Sequence, residues 1–102
     1  MLNKIVLTVA VSALISFPGY SQDVAKGEKL YMGECKICHG PKAEGMERKK
    51  SPKLAGQHAW YTLSQLMNFK KGDRKNATMQ GTVSAFTEQE FKDVSAYLET
   101  LK

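Results

Sequence analysis

The run Cys35-Lys36-Ile37-Cys38-His39 concentrates most of the chemistry this chain can do. Two thiols three residues apart face the same side of a helical turn. So placed, each can bond covalently to one vinyl group of a single haem, and C-x-x-C-H is the attachment signature of c-type haem. The residue after them projects an imidazole under the ring, where a nitrogen can bind the iron. Three other uses of the same residues compete with this one. A thioredoxin-like thiol pair needs a βαβ pattern, and the sequence has no alternating strand of useful length. A structural zinc ion needs four nitrogen or sulfur ligands. Beyond residue 21 the chain offers only Cys35, Cys38, His39 and His58, so zinc would use them all. A Cys35–Cys38 disulfide closes too short a loop to stabilise much.

Three helical patterns must position that motif. The first runs from about Val24 to Cys35, with Asp23 as N-cap. Val24, Gly27, Tyr31 and Cys35 follow steps of three and four and share one face. A glycine inside a helix costs up to ~1 kcal/mol against alanine. A close backbone crossing by another helix at Gly27 would explain that cost. The second pattern runs from about His58 to Lys71, with Ala59, Leu63, Leu66, Met67 and Lys70 in one stripe. Trp60 and Phe69 flank it, and Trp60 reads as a packing residue. Gly72 stops this helix after Lys70 and Lys71. The third pattern opens with a Thr87-x-x-Glu90 capping box. Phe91, Val94, Leu98 and Leu101 then step along one face beside Tyr97, and the helix is expected to run to Lys102. The segments 40–57 and 73–86 read as loops. The fold class is therefore all-α, with three main helices.

The chain is 102 residues long, enough for one small domain. Apolar residues make up 42% and charged residues 25%, which excludes a collagenous, low-complexity or multispan membrane protein. The first residues read as a leader. Lys4 precedes an apolar run from Ile5 to Ile15, and Pro18, Gly19 and Ser21 close it. That is a secretory signal pattern over residues 1–21. An uncleaved anchor is the alternative, but a spanning helix needs about 20 predominantly apolar residues and this stretch is interrupted. Cleavage after Ser21 leaves a domain of residues 22–102 and delivers it to the periplasm. A domain this small often needs a disulfide, metal or cofactor as a staple, which suits the covalent haem of the motif.

With these residues in view, the sequence resembles the class I c-type cytochromes of the bacterial monohaem sort. Gly27, Tyr31, the Cys35-x-x-Cys38-His39-Gly40 run, Pro52, Leu54 to Gln57, Tyr61, Gln65, Leu66, Phe69, Gly72, Arg74, Met79 and Tyr97 carry the resemblance. The stretch from Pro52 to Arg74 is similar to one half of the dihaem periplasmic cytochromes. The resemblance implies three main helices wrapped around one covalently bound haem c. His39 would supply one axial ligand to the haem iron, and Met79 stands where the family places the other. Met32 precedes Cys35 on the same helix, Met67 lies on a packing stripe, and Met46 is close behind His39 in the chain. His58 reads as a surface histidine. Relatives often carry a proline close to this methionine, whereas Met79 follows Asn76, Ala77 and Thr78. The resemblance further implies that the Pro52 carbonyl accepts a hydrogen bond from His39 and that Leu54 packs on the haem. Arg74 and Trp60 are both candidates to hydrogen-bond a haem propionate, and the resemblance favours Arg74.

The formal charge is +5, or +4 once Lys4 is removed with the leader. The basic residues fall in two clusters: Lys42, Arg48, Lys49, Lys50 and Lys53, then Lys70, Lys71, Arg74 and Lys75. If they frame an exposed haem edge they would steer a redox partner through acidic patches on it; otherwise they are a solvated surface. Export and a covalent haem argue against nucleic acid. The expected function is a periplasmic electron carrier that is not an enzyme. The alternatives are a haem-bearing acceptor subunit of a periplasmic oxidoreductase complex, or a haem enzyme or gas sensor with a labile sixth ligand.

Overall fold

The computed structural model describes residues 22–102, so the leader read at residues 1–21 lies outside them. Among the described residues the secondary structure is helical: α1 (Val24–Glu34), α2 (Lys36–His39), α3 (Ala59–Lys71), α4 (Ala77–Val83) and α5 (Glu88–Glu99). A single 3-10 turn at Glu47–Lys49 and an isolated bridge between Met46 and Ser51 complete it.

Asp23 caps α1 as its sequence position requires, its carboxylate accepting the Lys26 N–H at 3.0 Å. The helix stops at Glu34, a residue earlier than the pattern suggests. Cys38 and His39 both donate backbone N–H groups to the Cys35 carbonyl, at 3.2 and 3.0 Å. That tightened turn starts α2, and Gly40 ends it at φ 92°.

Helices α1 and α5 form the closest crossing in the domain. A Cβ at Gly27 would lie 2.0 Å from the Asp93 carbonyl oxygen and 2.5 Å from its carbon. Only a hydrogen fits there, which accounts for the helix-interior glycine. Next to it the Tyr31 and Tyr97 rings meet at 5.8 Å, and the Tyr31 hydroxyl donates to the Gly40 carbonyl. Asp93 is 1% exposed. Its Oδ1 accepts the Asp23 N–H at 2.9 Å and the Gln89 amide at 3.0 Å. The buried carboxylate thus ties the first residues of the domain to α5, and its hydrogen bonds offset the burial. Tyr31, Val94, Tyr97 and Leu98 form one core cluster; Phe69, Val83 and Phe91 form another.

Four expectations need correction. Trp60 is 70% exposed, not packed. It stacks on His58 at 6.1 Å and meets Tyr61 edge-on at 5.9 Å, off the stripe that α3 turns towards the core. The buried residues of α3 are Thr62 and Phe69, while Leu63, Leu66 and Met67 are half-buried. This helix serves two surfaces, a core cluster and a cavity, so a single apolar stripe misplaces its inner face. Helix α5 ends at Glu99, not Lys102. The Tyr97 carbonyl is taken by the Thr100 N–H at 3.0 Å and its hydroxyl at 2.6 Å, and Leu98 accepts from both Leu101 and Gly56. Finally, the segment 73–86 is not an irregular loop: it holds α4, and Met79 lies on that helix.

Candidate functional site

A cavity of about 480 Å³ opens between α2, the segment 49–54, α3 and α4, within the size range of cofactor pockets. Cys35, Cys38 and His39 stand on its wall, as do Pro52 and Leu54. Helix α3 contributes Tyr61, Thr62, Gln65, Leu66 and Phe69, and α4 contributes Thr78, Met79 and Thr82 together with its N-cap Asn76. Met32, Met46, Met67 and His58 are not among the lining residues.

His39 is 6% exposed. Its Nδ1–H donates to the Pro52 carbonyl at 2.8 Å. A carbonyl can only accept, so this bond fixes the tautomer and leaves the Nε2 lone pair for a metal. The loop that delivers Pro52 is well tied. Leu54 and Ala55 both donate to the Ala43 carbonyl, Gly45 donates to the His39 carbonyl, and Met46 and Ser51 bridge its base. The Gly-, Pro- and Lys-rich composition of this stretch hides that order.

Cys35 is not placed as a reactive thiol. Burial pushes Cys35 up to about 11, helped by the charges of Glu34 and Cys38. A thiol so placed is a poor thiolate at neutral pH, which weighs against thiol redox chemistry. A zinc site would need His58, which sits exposed at the start of α3 beside Glu99.

Arg74 is exposed and lies on the cavity wall. Its guanidinium covers the Phe69 ring at 4.6 Å and donates to Gln65 at 2.7 Å. Lys49, Lys50 and Lys53 also line the cavity, against the single acidic residue Glu34. The second basic cluster divides. Arg74 faces the cavity, while the Lys70 ammonium donates to the Phe86 carbonyl and lies 5.8 Å from the centre of the Phe91 ring. Sequence reasoning missed Asn76, whose side chain accepts the Met79 N–H at 3.0 Å. An asparagine three residues before the methionine is a readable N-cap signal, obscured here by the shortness of the helix.

Two cysteines, an imidazole with a free lone pair and a thioether-bearing side chain thus share one cavity in a domain that is helical among the described residues. These donors fit haem, and the fold and site define a c-type haem domain. Residues 24–102 match the family model described as cytochrome c. Cytochrome c4 of Stutzerimonas stutzeri is 34% identical over 88 residues, covering 74% of this chain and 42% of that one. The thiosulfate dehydrogenase electron acceptor of Stutzerimonas stutzeri strain A1501 is 36% identical over 85 residues, covering 76% of this chain and 39% of that one. The structure of reduced recombinant cytochrome c4 from Pseudomonas stutzeri superposes with a TM-score of 0.73 at 32% identity, over 78% of this chain and 48% of that one. The chain belongs to the cytochrome c family. It is a class I c-type cytochrome whose Cys35 and Cys38 stand in the attachment motif of one covalently bound haem c. It spans less than half the length of these relatives.

Proposed function

We propose that the chain is a periplasmic carrier of single electrons whose haem iron is held between His39 and Met79. The observation that carries this reading is the shared cavity of Cys35, Cys38, His39 and Met79, with Met32, Met46, Met67 and His58 off its wall among the described residues. Bound haem supplies a one-electron couple, and His/Met ligation sets it higher than bis-histidine would. Pro52 holds the His39 ring in the metal-binding tautomer. Leu54, half-buried between the cavity and the Tyr31 cluster, packs against the haem face. Arg74, which lies on Phe69 and donates to Gln65 on the cavity wall, would pair with a haem propionate. His39 and Met79 would leave small gases and peroxide no open site on the iron, so the protein would carry electrons and catalyse no reaction alone.

The positive mouth formed by Lys49, Lys50, Lys53 and Arg74 favours donors and acceptors with acidic patches. No helix among the described residues is long and apolar enough to cross a membrane. Residues 1–21 act as a cleaved export signal, and residues 22–102 form the working domain. A second reading is an acceptor subunit of a periplasmic dehydrogenase. It is favoured by the relative named as an electron acceptor of thiosulfate dehydrogenase. A stoichiometric partner that persists through purification would select it.

The test of the carrier reading is carbon monoxide added to the reduced holoprotein without denaturant. An unchanged spectrum supports a carrier with both axial positions filled. Ready binding would mark a labile sixth ligand and turn the reading to a haem enzyme or gas sensor.

A further inference from the structure

The segment that carries Met79 is fixed at both ends. Before it, Asp73 and Arg74 donate to the Asn68 carbonyl at 2.9 and 3.2 Å, and Arg74 lies on the Phe69 ring. After it, Phe86 donates to the Val83 carbonyl at 3.0 Å, packs on Phe91 at 5.9 Å and receives the Lys70 ammonium on its own carbonyl. Between these anchors stands α4, only seven residues long. An isolated helix of that length is unstable in water. Its composition worsens matters: Gly81 and the β-branched Thr78, Thr82 and Val83 are weak helix formers, and the first turn has no acidic residue.

One side chain opposes this. Asn76 Oδ1 accepts the backbone N–H of Met79 itself at 3.0 Å, and the Asn76 carbonyl accepts the Gln80 N–H at 2.8 Å. The cap therefore grips the peptide from which the Met79 side chain hangs. Asn76 is exposed and belongs to neither core cluster, and it also borders the cavity.

We infer that Asn76 is a positioning residue for the sixth ligand: it holds α4 in the form that presents Met79 to the haem cavity. The inference rests on Met79 as that ligand. An exogenous ligand can bind ferric iron only in the fraction of molecules whose α4 has let go. Apparent affinity for such a ligand is proportional to that fraction. Loss of an N-cap acceptor raises the released fraction about fivefold.

The experiment is a titration of the ferric holoprotein with imidazole, followed by the weak far-red band that a thioether sulfur gives ferric haem. Asn76→Ala should bind imidazole about fivefold more tightly than the natural protein. Asn76→Ser and Asn76→Asp keep an acceptor and should stay within about twofold of it. Equal affinity in Asn76→Ala with the band intact would overturn the positioning role alone. So would equal tightening in the Ser and Asp variants. A natural protein without the band would overturn the Met79 ligation and this inference together. Hydrogen exchange at the Met79 amide of the natural protein gives a check that needs no variant: protection supports the cap, and exchange at the unfolded-chain rate contradicts it.

Discussion

Replacing Gly27 with alanine is the sharpest test of how the domain is closed. The new Cβ would stand 2.0 Å from the Asp93 carbonyl oxygen, 2.5 Å from its carbon and 3.0 Å from the Val94 nitrogen. All three are backbone atoms, so no side chain can swing away. Helices α1 and α5 must separate by about 1 Å at the crossing, which loosens the Tyr31–Tyr97 contact and the Asp93 bond to Asp23. Overpacking of this kind costs ~3 kcal/mol at the upper end of its usual range. Alanine returns ~1 kcal/mol through its better helix propensity. The net loss is ~2 kcal/mol, or a fall in Tm of about 8–16 °C for a domain this size. Gly33 provides the control on the same helix, because a Cβ there meets nothing within 4 Å. Gly33→Ala should be neutral or stabilising by up to ~1 kcal/mol. The assay is thermal and guanidinium unfolding of both holoproteins by far-ultraviolet circular dichroism. Equal stability of the two variants would refute the crossing as the reason for Gly27.

Three further outcomes are expected. Burial holds the Tyr31 phenol above its ordinary 10.0, and Tyr97 is raised in the same direction. A group whose folded pKa is raised gives stability that is complete below about pH 10 and lost as pH rises further. Unfolding midpoints should therefore fall above about pH 10, and less steeply in Tyr31→Phe, which also loses about 1 kcal/mol at neutral pH with its hydrogen bond to Gly40. Charge reversal at Lys50 or Lys53 should slow reduction of a small anionic oxidant such as hexacyanoferrate roughly threefold at low ionic strength, with the difference vanishing at high salt. Trp60→Ala should change stability by less than ~0.5 kcal/mol, since the ring joins no core; a loss of ~2 kcal/mol or more would place it in a contact the structure does not contain.

What could be read from the sequence was local. The Asp23 cap, the Thr87–Glu90 capping box and the Gly72 stop each depend on residues within a turn or two, and each appears where its signal stands. Gly27 was also legible, because a glycine against helix propensity demands a partner, although its partner Asp93 was not. The end of α5 was hidden because it depends on the Gly56 N–H arriving from a distant loop. Helix α4 was hidden because seven residues with a glycine and three β-branched side chains show no period. The inner face of α3 was misread because Thr62 and Gln65 turn towards a cavity, and apolar periodicity cannot see a surface lined partly by polar side chains. The hydrogen bond from His39 to Pro52 came from resemblance. Nothing in the spacing of these two residues announces it.

In the proposed holoprotein, His39 and Met79 meet the two faces of one haem. Absorbance of the ferric holoprotein, expressed with its leader, tests it most directly. Low-spin bands are expected together with the far-red thioether band, with loss of that band in Met79→Ala but not in Met32→Ala, Met46→Ala or Met67→Ala. Low-spin bands without the far-red feature, or a feature that survives in Met79→Ala, would contradict it.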